Sequence, residues 1–185
     1  MERVDAILDA LTRAARESTS ARDTWLLSSD DDGKLRVAAA VGDVATGHLG
    51  HTFPCDVGVE GFVFQSGQPV ALSSTSEDAR LQEGVLAKLQ RKPESVLCVA
   101  CEEGEGTMGV LLLADKVDES SFTLDDVDIT TVLGDVAAVA LSYRAGGSRI
   151  PSPAELAGEL TALATSDPVG YARLAPVIST FLQHG

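Results

Sequence analysis

This chain is short of aromatic residues, of cysteine and of positive charge, and each shortage narrows what it can do. Aromatics make up 4% of its 185 residues, which argues against a pocket that must wrap a large conjugated group in rings. Three cysteines are an odd number and too few for a disulfide scaffold. Lys and Arg number 14 against 28 Asp and Glu, a formal net charge of −14. Such a surface repels phosphate backbones and anionic lipid, so neither nucleic acid nor membrane is an expected partner. No apolar run approaches the ~20 residues that span a bilayer, and Met1-Glu-Arg-Val-Asp5 lacks a basic-then-apolar leader pattern. A cytoplasmic location is expected. Three familiar catalytic signatures are also missing: the Gly-x-Ser-x-Gly elbow, the Gly-Lys-Ser/Thr phosphate loop and His-Glu-x-x-His. The many carboxylates scatter over turns and helix starts, where solvation and capping explain them. An enzyme is not expected.

What is present reads as a globular domain with an appendage, 44% apolar and 23% charged. Val4, Ile7, Leu8, Leu11 and Ala15 recur at helical spacing, giving an amphipathic opening helix that ends near Ser18 to Ser20. Thr24-Trp-Leu-Leu27 and Leu35-Arg-Val-Ala-Ala-Ala-Val41 read as two strands, joined at Asp30-Asp-Asp-Gly33 by residues that tolerate turns. Residues 42–56 are loop-rich. Pro69-Val-Ala-Leu72 reads as a short strand, and Ser76 as the cap of a thin covering helix over residues 77–90, with Leu81, Val85, Leu86 and Leu89 as its apolar side. Ser95-Val-Leu-Cys-Val-Ala-Cys101 and Met108-Gly-Val-Leu-Leu-Leu-Ala-Asp-Lys116 are nearly continuous apolar runs suited to strands buried on both faces. Thr123 is a good cap for a helix whose apolar face comprises Val127, Val132, Leu133, Val136, Ala137, Ala140 and Leu141. Gly146-Gly147 ends it. Leu156, Leu160 and Leu163, then Asp167-Pro168 with Val169, Leu174, Val177, Ile178, Phe181 and Leu182, predict two short helices. The expected division is a domain over 1–145, a linker over 146–152 and an αα-hairpin over 153–185.

The order of these features is informative. Gly58-Val-Glu-Gly61-Phe-Val-Phe-Gln-Ser-Gly67-Gln-Pro69 opens as a glycine turn and short helix, and strand, spacer and hairpin follow. Phe122-Thr-Leu-Asp-Asp-Val-Asp-Ile129 then starts a helix. That succession, over roughly residues 1–145, resembles the GAF family of small-molecule-binding sensor domains. The resemblance implies an α+β, profilin-like fold: a central antiparallel sheet of about five to six strands with the terminal helices on one face. A lid of loops and short helices, here residues 42–67 and 74–92, would cover a ligand pocket on the other, and the C-terminal helical hairpin lies outside the resemblance.

Each known occupant of such pockets leaves a partial signature. Cyclic-nucleotide GAF domains carry Asn-Lys…Phe-x-x-x-Asp-Glu, and the matching residues here are Asp115, Lys116, Phe122, Asp126 and Val127. The first and last positions fail; an ion pair pinning the strand end to the next helix is the plainer role. Bilin attachment needs a thiol among aromatics, whereas Cys98 and Cys101 fall on a buried strand, so no covalent chromophore or other cofactor is expected. His48, His51 and Cys55 have loosely metal-like spacing, against a solvated loop with ordinary histidines; no metal site is expected. Cys98 and Cys101 read as small core residues, which leaves Cys55 as the redox candidate. The methionine-sulfoxide reductases of this fold place a cysteine inside the segment matching Gly58 to Gly61, where Val59 and Glu60 stand here.

The functional expectation is a regulatory signalling module that holds a small molecule and relays it through the terminal helices. The alternative is an interaction or dimerisation scaffold with a silent pocket; a cysteine-based redox sensor comes third. Ala137, Ala138 and Ala140 would allow close helix approach, so the expected partner is another protein or a second copy through the terminal helices. Candidate pocket residues are Phe53, Phe62 and Phe64 as apolar walls, and Asp78, Arg80 and Ser95 as polar lining. Arg80 would hold an anionic ligand, or else pair with Asp78.

Overall fold

A computed structural model of the chain describes residues 2–30, 32–73, 78–89, 91–104, 106–117, 121–146, 153–166, 168 and 171–172. By its contacts the chain divides into two compact units, Met1–Gly147 and Ser148–Gly185. In the second unit the described helix is Pro153–Ser166, whose Thr161 and Thr165 hydroxyls donate back to carbonyls four residues earlier. The partner helix expected after Asp167-Pro168 falls almost wholly outside the described residues.

The first unit is built on one sheet of six antiparallel strands. Helix α1 (Glu2–Thr19) leads into the hairpin β1 (Ala21–Ser29) and β2 (Lys34–Gly42). Asp30 closes that turn, its Oδ1 accepting the amides of Asp32 and Lys34. The stretch expected to be loop contains a 3-10 turn, Ala45–His48, and the short strand β3 (Thr52–Pro54). Helix α2 (Gly58–Ser66), β4 (Val70–Ser73), the long hairpin β5 (Ser95–Glu103) and β6 (Gly106–Lys116), and helix α3 (Leu124–Gly146) complete the unit. The strands lie in the order β3-β2-β1-β6-β5-β4.

Period-two alternation sorts the side chains of β5 and β6 onto two faces. Leu97, Val99 and Cys101 of β5 and Leu111 and Leu113 of β6 meet α1 and α3 on one face, with Leu8, Ala15, Ala137, Ala138 and Leu141. Val96, Cys98 and Ala100, with Val110, Leu112 and Ala114, face the other way, toward Val59 and Val63 of α2 and toward Val85 and Leu86. A bulge in β2 skips Ala38 opposite Leu26 and Leu27, so Ala39 joins the helix face while Val37 and Leu35 join the lid face.

Thr123 caps α3 by a reciprocal arrangement. Its hydroxyl accepts from the Asp126 amide, and Asp126 Oδ2 accepts from the Thr123 amide at 2.7 Å. The same carboxylate takes Lys116 Nζ at 2.6 Å, both side chains nearly buried. Lys116 thus ties the end of β6 to the start of α3. Asp115, at φ +59°, accepts the Glu94 amide and pairs with Arg91.

The covering helix expected over residues 77–90 does not form. Two 3-10 turns, Ala79–Gln82 and Leu86–Lys88, stand there, separated by Gly84 at φ +71°. A left-handed residue cannot lie inside a right-handed helix, and the first turn is capped by Asp78, which accepts the Arg80 amide. Ser76, the expected cap, lies outside the described residues.

Candidate functional site

Glu60 dominates the lid face. It lies in the first turn of α2 between Val59 and Gly61, and its side chain is fully buried. Oε1 accepts the Val85 amide at 2.5 Å, which ties α2 to the covering segment, while Oε2 has no hydrogen-bond partner among the described residues. Two glycines make room for this carboxyl. Gly58 (φ +75°) and Gly84 (φ +71°) both lie against it, and a Cβ on Gly84 would collide with Oε1. Burial pushes the carboxyl from 4.5 up to about 7, opposed by the amides of Val85 and Glu60 itself. Beneath it, Cys98 is pushed well above the usual thiol value, first by burial and then by the Glu60 charge.

Along the same sheet face, β1, β6 and β5 align Trp25, Leu112 and Cys98 in one cross-strand row. The Trp25 ring stacks on His48 at a centroid separation of 6.2 Å, and His51 approaches His48 at 5.8 Å. Trp25 Nε1 and His48 Nδ1 are buried without partners among the described residues. Desolvation, then the neighbouring His51, lowers the His48 pKa, so its imidazole is neutral at physiological pH. The turn bearing His48 is anchored from below: buried Asp23 accepts the amides of Val44 and Ala45.

The sequence-derived candidates disperse. Phe53 and Phe64 belong to the lid-face core, Phe53 buried and Phe64 partly so. Phe62 is 41% exposed and carries the Arg80 guanidinium over its ring at 5.1 Å. Arg80 also forms a bidentate pair with Asp78, at 3.0 and 2.7 Å, which holds the Asp78 carboxyl below its usual range. That cation is already engaged. Ser95 shares the helix face of β5 with Leu97 and Val99, away from the lid, and its Oγ accepts the Lys116 amide.

Cys55 is half-buried, with Gln65 Nε2 3.6 Å from its sulfur. Cys98 and Cys101 are fully buried on opposite faces, and burial raises both thiols. Among the described residues no three His, Cys, Asp or Glu side chains gather as metal ligands would. Glu60 was missed in the sequence. Its signal was a lone acid beside valine, between Gly58 and Gly61, at the start of a short helix.

An antiparallel sheet packed on one side by helices, and roofed on the other by short turns over buried polar groups, defines a small α+β domain. The GAF domain model matches residues 2–142, and the chain belongs to the GAF domain family. GAF domains are regulatory and sensory modules of signalling proteins, in general without catalytic activity. Solved structures agree on the fold. The GAF domain of an Acinetobacter phosphoenolpyruvate-protein phosphotransferase is 18% identical with a TM-score of 0.68, over 80% of this chain and 87% of its own. GAF-B of DevS from Mycobacterium smegmatis is 18% identical with a TM-score of 0.60, over 80% and 99%. A type II free methionine-R-sulfoxide reductase from Thermoplasma acidophilum is 14% identical with a TM-score of 0.62, over 76% and 93%. No curated protein matches the chain. Among the described residues no helix is long and apolar enough to cross a membrane.

Proposed function

We propose that this GAF domain is a non-enzymatic cytoplasmic sensor that holds a small molecule beneath its lid and relays the event through α1 and α3. It carries no covalent chromophore. One observation carries the reading: three unlike polar groups, Glu60 Oε2, Trp25 Nε1 and His48 Nδ1, are buried on the lid face without partners among the described residues. Buried polar groups are ordinarily satisfied, because an unmet one costs roughly 1–3 kcal/mol. A ligand supplying the missing partners offsets that cost and draws the lid onto the sheet. Native mass spectrometry of protein purified from its own host tests this. A bound small molecule on most copies, with no visible absorption band, is expected; fully loaded expression conditions yielding only the bare chain mass would contradict it.

A specific surface favours a second reading, the dimerisation scaffold. Ile129, Val132, Val136, Val139 and Tyr143 follow a 3-4-3-4 spacing along α3, and each is between 42% and 71% exposed. That spacing is the seam of a two-helix coiled coil. The two readings join if the seam is the relay's output. Light scattering on the full chain distinguishes them: a ligand-independent dimer supports the scaffold, a monomer at high concentration sinks it.

A further inference from the structure

We propose that Glu60 is the polar anchor of that lid-face site and that it selects a ligand bearing a cationic nitrogen, a protonated amine, amidine or guanidine. The inference rests on the sensor reading above and names its ligand class. Both oxygens of Glu60 are enclosed, yet among the described residues only Oε1 is bonded across to the lid, by the Val85 amide. An ionised carboxylate offers about four acceptor positions, so this one is underused in a place water does not reach.

The surroundings show what is missing. The groups acting on the carboxyl are burial, the Val85 amide and its own amide; no basic side chain among the described residues is one of them. From β5 the titratable neighbour is Cys98, whose thiol brings no positive charge. A neutral donor would satisfy Oε2 but leave a buried negative charge uncompensated. A cationic N–H does both, through a charge-assisted hydrogen bond. The two glycines let the carboxyl take this position. A Cβ on Gly58 would stand 2.7 Å from Oε2, so residues with side chains at either glycine would displace the carboxyl. Trp25 lies two strands from Cys98 in one cross-strand row, on the order of 10 Å at ordinary strand spacing, and its N–H, without a partner among the described residues, suits an acceptor at the ligand's other end.

Calorimetric titration of the full chain with methylguanidinium, against its neutral isostere N-methylurea, tests the assignment at pH 8. Methylguanidinium is expected to bind at least tenfold tighter, and Glu60→Gln is expected to reduce that preference to under twofold. Equal affinities, or a preference that survives Glu60→Gln, overturn the anchor while leaving a small-molecule site standing. Should neither probe bind, the molecule carried by host-purified protein decides: a cationic one supports the anchor and a neutral or anionic one overturns it. Finding none removes anchor and sensor reading together. If Glu60→Gln does not fold, carbon-detected NMR titration of the wild-type carboxyl replaces it. Saturating methylguanidinium should lower the midpoint by one unit or more, a tenfold change, and an unmoved midpoint overturns the proposal.

Discussion

The two faces of one sheet have been packed by different rules. Against α1 and α3 the sheet presents Leu97, Val99, Leu111 and Leu113, and the helices answer with leucine and small alanines. The buried side-chain groups on that side without a partner among the described residues include two threonine hydroxyls, Thr24 Oγ1 and Thr130 Oγ1, small neutral groups that can donate or accept. Under the lid the same strands meet aliphatic side chains interrupted by a carboxyl, an indole and an imidazole. One side is filled for stability. The other retains a carboxyl, an indole and an imidazole that the described residues leave unsatisfied.

The largest expected effect lies where the helix face is fastened. Asp126→Ala removes an acceptor of buried Lys116 Nζ and that of the Thr123 amide together. Breaking a buried pair on one side costs about 3–5 kcal/mol, readable as a lower denaturation midpoint. A loss under about 1 kcal/mol would mean α3 is held by packing alone. Next, Leu111→Ala on the helix face should cost about 2–5 kcal/mol, and Val85→Ala on the lid face clearly less, because a 3-10 segment collapses more readily around the gap. Equal losses in urea unfolding would erase the distinction between the faces.

pH separates them with opposite signs. The folded Glu60 midpoint of about 7 lies above the ordinary 4.5, so the folded chain holds this proton to higher pH and stability falls as pH rises between those values. The full span is on the order of 3 kcal/mol by linkage, and Glu60→Gln should remove it. Asp126 behaves oppositely. Burial raises its pKa, but the hydrogen bonds from Lys116 and Thr123 outweigh this and hold it low, so its contribution is lost as pH falls through the carboxylate range. Melting curves of wild type and Glu60→Gln from pH 4 to 8 check this; parallel profiles would show that Glu60 titrates normally. The smallest effect concerns thiols. Cys55 should react with maleimide in the native state, and Cys98 and Cys101 only on unfolding. Early labelling of Cys98 would mean the lid face is open.

Much of the scaffold was legible because its signals are local. The apolar runs of β5 and β6, the Asp30 turn and the Thr123 cap each announce themselves within a few residues. Two errors have physical causes. Leu81, Val85, Leu86 and Leu89 imitate a helical stripe, and only Gly84, at φ +71°, betrays that the chain reverses hand between them. The apolar residues of α3 are spread over more than one face, so Val132 and Val136 looked as inward as Ala137, yet they are 61% and 48% exposed. The site was far less legible. The partners of Glu60 and Trp25 lie across α2, the lid and three strands, and no spacing in a single sequence encodes those meetings. Strand β3 was hidden too, since three residues beside glycine and proline carry no periodicity.

The most direct test is the titration of the Glu60 side-chain carbon in ligand-free full-length protein. A midpoint near 7, with the Val85 amide resonance moving in step, is what a buried and half-satisfied carboxyl under the lid must give. A midpoint at the ordinary value of 4.5 would place that group in water and leave the lid face without its distinguishing feature.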